Sequence, residues 1–170
     1  MRKILLVVDM QNDFIDGALG SPEAQAIVPT VNSVIQGFDG DVYFTRDTHL
    51  ENYMDTQEGR LLPVAHCIKG SDGWQISSSL DTACACGIID KPTFGFIDIA
   101  SIIADRGCDI EEITLIGLCT DICVISNAMI LKAAFPEAKI SVIASACAGV
   151  SPESHHNALE AMKMCQIKII

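Results

Sequence analysis

The sequence has 170 residues, of which 49% are hydrophobic and 19% charged, and its formal net charge is −11. This composition is typical of one globular domain, expected over residues 1–170, and excludes an intrinsically disordered chain. The negative charge would repel nucleic acid and anionic membranes, so neither is expected as a partner.

Predicted strands alternate with helices along the chain. The first apolar run, Ile4–Val8, ends on Asp9, which indicates a first strand and not a signal peptide. No run approaches the length of a membrane span. Several strand runs are almost continuously apolar, as expected of parallel strands that are covered on both faces. The predicted strands are Lys3–Asp9, Asp41–Arg46, Gly87–Lys91, Ile113–Leu118, Lys139–Ala144 and Gln166–Ile170.

Helical periodicity occupies the intervals between these strands. Apolar stripes at helical spacing begin at Ile27, Ile99 and Ala158. Ser-Pro-Glu occurs at Ser21 and again at Ser151, and each copy predicts a helix start because Ser can cap, Pro fits the first helical position and Glu favours the positive helix end. Repeated βα units predict an α/β fold, a three-layer α-β-α Rossmann-like sandwich with a mostly parallel six-stranded sheet.

Three reactive side chains lie at the carboxyl ends of predicted strands. They are an acid, a cation and a thiol: Asp9, Lys91 and Cys123. In an open α/β sheet such ends converge on one rim, where ligand crevices form. Together the three groups suit a hydrolase with a cysteine nucleophile. Asp13 and Asp16 lie close enough to Asp9 to remain alternatives on spacing alone.

The segment Gly117–Asp121 predicts a strand-to-helix turn, followed by a helix from Asp121 to Ala134. Cys123 would then lie in the first helical turn, where the positive helix end stabilises a thiolate. Unpaired backbone N–H groups at such a turn can hold an oxyanion. Cys119 is the rival nucleophile, but it precedes the helix.

The remaining cysteines are predicted to be mostly buried, reduced and inert. The chain has 8 cysteines and no Cys-x-x-Cys pair, and Cys84 and Cys86 are too close together for a zinc knuckle. This usage is typical of a cytoplasmic protein, which is the expected location.

The longest irregular stretch runs from Asp47 to Ser79 and follows a predicted strand end. Loops of this length are uncommon in compact domains unless they are functional. Its two imidazoles and two carboxylates suit a divalent metal, with zinc preferred and manganese or ferrous iron as alternatives. The candidate ligands are Asp47, His49, Glu58 and His66, with Glu51 and Asp55 as replacements for Glu58. His155 and His156 are predicted to be structural or exposed.

These segments resemble the isochorismatase-like cysteine hydrolases, and within that superfamily most closely the nicotinamidases. The resemblance covers essentially the whole chain, and its last motif is the most specific. In chain order the motifs are D-x-Q-N-D-F at Asp9–Phe14, R-D-x-H at Arg46–His49, the pair His66-Cys67, the strand-end Lys91 and G-x-x-T-D-x-C-V at Gly117–Val124.

The resemblance implies a catalytic triad of Asp9, Lys91 and Cys123. It also implies a cis peptide bond between Leu118 and Cys119, which would direct the N–H groups of Cys119 and Cys123 into an oxyanion hole. Because true isochorismatases lack the nucleophilic cysteine, Cys123 argues against that reaction.

The resemblance implies the same metal ligands and makes Phe14 one aromatic wall of the substrate pocket. The chain departs from the family before His66, where Leu62–Ala65 lacks the usual aromatic residue and one of two prolines. Trp74, the only tryptophan, is a candidate for the second wall, or it is a core residue.

The implied function is that of a metal-assisted nicotinamidase in NAD salvage, which converts nicotinamide to nicotinate and ammonia through a Cys123 thioester. One alternative is another amidohydrolase of the superfamily, acting on a carbamoyl or ureido compound without the metal. Another is a non-enzymatic, thiol-based sensor; the lack of G-x-G-x-x-G after the first strand disfavours dinucleotide binding. The expected partners are a small-molecule amide and further copies of the chain, as a dimer or tetramer.

Overall fold

Six parallel strands form the centre of the computed structural model, which describes residues 1–104 and 109–170. The strands are β1 (Arg2–Val8), β2 (Asp41–Asp47), β3 (Ala85–Lys91), β4 (Ile110–Leu118), β5 (Lys139–Ala148) and β6 (Lys168–Ile169). They are hydrogen-bonded in the order β3-β2-β1-β4-β5-β6, and each neighbouring pair is parallel. The predicted fold class is confirmed.

Helices cover both faces of this sheet. They are α1 (Asn12–Ile15), α2 (Pro22–Gly37), α3 (Gln57–Leu61), α4 (Ile99–Ala104), α5 (Ile125–Ala134) and α6 (Pro152–Met164). A 3-10 turn at Tyr53–Asp55 and a π-helical turn at Thr120–Val124 complete the helical segments of the described chain. Among the described residues, no helix is both long enough and apolar enough to cross a membrane.

The side chains of β1 alternate between two buried clusters. Leu5 and Val7 pack with apolar residues of α2 on one face, whereas Ile4, Leu6 and Val8 pack with residues of α4, α5 and α6 on the other. All five side chains are fully buried. This alternation follows from the two-residue repeat of a strand and explains why an uninterrupted apolar run forms the central strand of three layers.

Both predicted Ser-Pro-Glu helix starts are confirmed. The Ser21 hydroxyl accepts a hydrogen bond from the Ala24 N–H at 3.0 Å, and the Ser151 hydroxyl accepts one from the Ser154 N–H at 3.1 Å. Each cap satisfies a backbone donor that the helix leaves unpaired, which stabilises the helix by about 1 kcal/mol.

Other boundaries differ from the sequence predictions. The helix predicted from Asp121 begins as the π-helical turn, and α5 itself starts at Ile125. Strand β5 continues past Ala144 to Ala148, because after a register shift its last residues pair with Gly117 and Leu118 of β4. Cys108, predicted to be buried and reduced like most of the cysteines, lies outside the described residues.

The strand order reverses between β1 and β4, which is where open α/β sheets form ligand crevices. Gly117 allows the two strands to approach closely here, since its φ is +112° and an added Cβ would lie 2.1 Å from the Val8 carbonyl oxygen. Asp9 directly follows β1, and Cys123 follows β4. The topology thus places two predicted site residues at the reversal.

Candidate active site

The Lys91 ammonium group lies between Asp9 and Cys123. Its Nζ is 2.7 Å from Asp9 Oδ2 and 3.4 Å from Cys123 Sγ. Asp9 and Lys91 are fully buried and Cys123 is 4% exposed. The structure therefore brings together the acid, the cation and the thiol that the sequence places at separate strand ends.

Burial and neighbouring charges shift the pKa values of Asp9, Lys91 and Cys123 from different causes. Burial raises the pKa of Asp9, and the attraction of Lys91 opposes this rise. The pKa of the Cys123 thiol is raised by burial and further by the charge of Asp9. For Lys91, burial opposes the charged form, but Asp9, Cys123 and Asp47 together outweigh it and raise the pKa. These shifts favour a charged lysine and a neutral thiol, and the raised pKa makes the Asp9 carboxylate a stronger proton acceptor.

Cys119 is a second thiol beside the site, but it makes no described contact with Lys91. Burial, and then the charge of Asp121, raises the pKa of Cys119 to about 12. The Leu118–Cys119 peptide bond is cis, as the resemblance implies. Contact with the ammonium group therefore distinguishes Cys123 from its rival.

A buried amide fixes the backbone around Cys123. Asn127 donates from Nδ2 to the carbonyl oxygen of Cys123 at 2.8 Å and to that of Phe94 at 2.9 Å. Its Oδ1 accepts a hydrogen bond from the Phe96 N–H at 3.0 Å. This side chain joins the turn that carries the thiol to the loop after β3, a connection that the sequence analysis did not predict.

The four predicted metal ligands form a compact cluster. One donor atom from each of Asp47, His49, Glu58 and His66 lies within 4.8 Å of the others. His49 Nε2 is 2.9 Å from Asp47 Oδ2 and 3.5 Å from Glu58 Oε1. Both His49 Nε2 and Glu58 Oε1 are buried without a hydrogen-bond partner among the described residues. Two imidazoles and two carboxylates converging in this way fit a divalent cation, which would satisfy both atoms.

Asp47 connects this cluster to the triad. Its Oδ1 is 3.3 Å from Lys91 Nζ, while its Oδ2 faces His49 and, at 3.6 Å, His66 Nε2. Burial opposes its ionisation, but the close imidazoles of His49 and His66 and the charge of Lys91 lower the pKa of Asp47 well below its usual range. The carboxylate is therefore ionised and available to a cation.

The segment after β1 holds the loop that carries the ligands. Gln11 accepts the Asp47 N–H at 2.7 Å and donates to the carbonyl oxygens of Asp47 at 2.8 Å and Trp74 at 2.9 Å. Asp13 accepts the Cys67 N–H at 2.7 Å. The sequence shows both residues within one motif and leaves Asp13 as an alternative to Asp9, but it does not predict these contacts, because they depend on how the loop folds back.

A cavity of about 480 Å³ reaches both the triad and the metal cluster. Its lining includes Cys119 and Cys123 and also the predicted metal ligands Asp47, Glu58 and His66. Its walls are largely apolar, and among the described residues no lysine or arginine lines it. The main apolar walls are Phe14, Leu62, Phe94, Ile122 and Val150.

The structure places Trp74 outside this cavity, which corrects the expectation that it forms a wall. Its indole N–H donates to Thr48 Oγ1 at 2.9 Å, and the Arg46 guanidinium lies 3.6 Å from its ring centroid. These contacts hold the ring against β2, away from the thiol. Phe94 and Leu62 line the cavity instead, and no sequence signal identified them.

Comparisons with known proteins agree with this architecture. Residues 3–170 match the isochorismatase domain, so the chain belongs to the isochorismatase family. It is 28% identical to a nicotinamidase of Escherichia coli (strain K12), with 95% of this chain and 90% of the relative covered. The resemblance to nicotinamidases predicted from the motifs is confirmed.

Two solved structures add detail. A pyrazinamidase of Pyrococcus horikoshii in complex with zinc superposes with a TM-score of 0.84 and 30% identity, covering 100% of this chain and 99% of that one. An N-carbamoylsarcosine amidase from Thermoplasma acidophilum superposes with a TM-score of 0.79 and 26% identity, covering 99% of this chain and 95% of that one. Both carry the same fold.

Proposed function

We propose that the protein is a metal-assisted nicotinamidase that converts nicotinamide to nicotinate and ammonia. The enzyme class, a hydrolase acting on a linear carboxamide C–N bond, is confirmed by similarity to nicotinamidases. The observation that carries the proposal is the contact of Lys91 with both Asp9 and Cys123, beside a cavity that extends to the metal cluster.

Acylation begins when Asp9 accepts the proton of the Cys123 thiol, while Lys91 stabilises the resulting charges. The thiolate attacks the carboxamide carbon, and the C=O electron pair moves onto oxygen. Backbone N–H groups of Cys119 and Cys123 stabilise this oxyanion. When the intermediate collapses, the C–N bond breaks, Asp9 returns its proton to the departing ammonia, and a thioester remains on Cys123.

Deacylation repeats these roles with water. Asp9 takes a proton from a water molecule while the oxygen of that water attacks the thioester carbon. Collapse of the second tetrahedral intermediate breaks the C–S bond, releases the carboxylic acid and returns the proton to the Cys123 sulfur. The enzyme is thereby restored without an external oxidant or reductant.

Asp47, His49, Glu58 and His66 would hold a divalent cation, with zinc preferred. When bound, such an ion supplies a Lewis-acid contact for the pyridine nitrogen of the substrate. The apolar walls contributed by Phe14 and other residues would confine the ring, and both effects position the carboxamide near Cys123.

The direct test is ammonia release from nicotinamide by the purified protein, before and after chelator treatment. We expect release that falls when metal is removed and recovers on adding zinc. Cys123→Ala should abolish turnover without unfolding the protein, whereas Cys147→Ala, a change at another buried free thiol, should retain it. Turnover retained by Cys123→Ala would refute the thioester mechanism.

The similarity to an N-carbamoylsarcosine amidase supports a second candidate, hydrolysis of a carbamoyl compound without the metal. N-Carbamoylsarcosine itself carries a carboxylate, and no described lysine or arginine lines the cavity to receive it. We therefore expect ammonia release from nicotinamide to exceed that from N-carbamoylsarcosine. The reverse order, with no metal bound, would favour the second candidate, and alkylation of Cys123 without amidase activity would favour a sensor.

A further inference from the structure

Thr45 makes two hydrogen bonds to Asp9 from the neighbouring strand. Its hydroxyl donates to Asp9 Oδ1 at 2.6 Å and accepts the Asp9 backbone N–H at 3.2 Å. Thr45 is fully buried in β2. Asp9 has a φ of +47°, a conformation uncommon for residues other than glycine, so its backbone here is held by its surroundings.

These contacts give the two oxygens of the Asp9 carboxylate different partners. Oδ1 receives the hydroxyl hydrogen of Thr45, whereas Oδ2 lies 2.7 Å from Lys91 Nζ. The thiol of Cys123 meets the same ammonium group. Partial rotation of the carboxylate would lengthen both contacts, and the branched Thr45 side chain has few rotamers with which to follow.

We propose that Thr45 is a positioning residue that reserves Oδ2 of Asp9 as the oxygen that takes the proton of Cys123. The inference rests on the proposed function, because it assigns the site of proton transfer within that mechanism. Thr45 itself forms and breaks no covalent bond in this step. The proton moves from Sγ to Oδ2, and the hydroxyl keeps its hydrogen throughout.

Thr45 carries no charge; its hydrogen bond orients the Asp9 carboxylate and also lowers the pKa of Asp9. The charged groups nearest Asp9 include Lys91 of β3 and Asp47 at the end of β2, and the thiols of Cys67, Cys119 and Cys123 also interact with it. Removing a neutral hydroxyl leaves all of these charges in place. Its loss should therefore slow proton transfer and leave substrate binding nearly unchanged.

The test compares three variants of the metal-loaded enzyme. Thr45→Val keeps the branched shape and removes the hydroxyl, whereas Thr45→Ser keeps the hydroxyl. Thr114→Val is the matched control, because Thr114 is a buried threonine of β4 with no described contact to the triad. The readouts are kcat and KM for nicotinamide, bound metal, thermal unfolding, and the rate at which iodoacetamide alkylates Cys123.

We expect Thr45→Val to lower kcat by about 10- to 100-fold while KM changes by less than about 3-fold. It should also slow alkylation of Cys123, and Thr45→Ser should restore most of both rates. Thr114→Val should behave as the parent enzyme. If Thr45→Val does not fold, the smaller Thr45→Ala variant carries the same comparison with Thr45→Ser.

The proposal would be overturned by a Thr45→Val enzyme that keeps either the parent kcat or the parent alkylation rate, and by one whose loss of activity lies entirely in KM. Alkylation requires no substrate, so it separates this inference from the proposed function. A parent protein that does not hydrolyse nicotinamide would reject the substrate. Equal alkylation of the parent and Thr45→Val proteins would reject the role of Thr45 whatever the substrate.

Discussion

Lys91 is the charged residue on which the buried site depends most. It is fully buried and lies close to two buried carboxylates, those of Asp9 and Asp47. A carbonyl oxygen, that of Thr93, accepts a further hydrogen bond from its Nζ at 3.1 Å. Buried charges persist only when they are paired and hydrogen-bonded, so each member of this group requires the others.

Replacing Lys91 with methionine should therefore damage stability as well as activity. Lys91→Met leaves two buried carboxylates without their cation, which we expect to lower the free energy of unfolding by about 3–5 kcal/mol and to abolish turnover. Urea unfolding and ammonia release measure the two effects. Lys69→Met removes an exposed lysine 3.8 Å from Asp90 and should cost less than about 0.5 kcal/mol. Equal stability of the two variants would contradict the structural role of Lys91.

Replacing Ser141 should raise the free energy of unfolding, in contrast to replacing Lys91. Its hydroxyl is fully buried in β5 and has no hydrogen-bond partner among the described residues. Ser141→Ala should therefore raise the free energy of unfolding by about 1 kcal/mol, whereas Ser21→Ala removes a helix cap and should lower it by about 1 kcal/mol. Urea unfolding of both variants checks the signs. A destabilised Ser141→Ala protein would mean that the hydroxyl has a partner.

The sequence identified some site residues and not others for a physical reason. Asp9, Lys91 and Cys123 lie at strand ends, and a parallel sheet brings such ends together whatever the loops do. Phe94 and Trp74 lie in irregular segments, where side-chain direction depends on tertiary contacts such as those of Asn127 and Thr48. No periodic pattern encodes those contacts, so the sequence alone does not distinguish an aromatic residue of the cavity wall from one of the core.

At the scale of elements, the metal-bearing loop is held by the segment that follows β1. Gln11 binds the backbone on both sides of the loop, at Asp47 and Trp74, through three hydrogen bonds. It is fully buried. Two helical segments lie inside the loop, at Tyr53–Asp55 and α3, and α3 carries Glu58. The segment after β1, which supplies Asp9, thus also anchors the predicted ligands.

Gln11→Leu should consequently weaken metal binding without removing a ligand. Loss of the three hydrogen bonds leaves Asp47 less well positioned, and changes of this kind typically cost about 10- to 100-fold in affinity. Competition with a chromophoric zinc chelator measures the change. Gln25→Leu, which replaces an exposed glutamine of α2, is the control and should bind zinc as the parent does. Unchanged affinity in Gln11→Leu would show that the ligands are positioned without it.

At the scale of the whole molecule, the protein has a net charge of −11, whereas its cavity is largely apolar. A neutral amide approaches such a protein without electrostatic cost, whereas an anionic acid is repelled. The proposed reaction changes a neutral substrate into an anion, so the field of the protein favours departure of the product. Assembly into a dimer or tetramer stays a prediction, which light scattering can measure.

Salt should affect the two ligands differently. Between about 20 and about 200 mM sodium chloride, kcat/KM for nicotinamide should change by less than about 2-fold, because the substrate is neutral. Inhibition by nicotinate should become stronger as salt screens the negative field. Steady-state kinetics at fixed pH, with a neutral pyridine inhibitor as control, measures both. Nicotinate inhibition that weakens with salt would show that a local positive group dominates its binding.

The strand order has a consequence for dividing the chain. Ser78 and Ser79 are exposed, and a cut between them would yield one piece with β1 and β2 and another with β3 to β6. Since β3 pairs with β2 and β4 pairs with β1, the two strands of the first piece would have to insert between β3 and β4 of the second piece. Each piece would hold only part of the proposed triad. Recovered hydrolysis on mixing would therefore report complementation of the split sheet, with no dye or tag required.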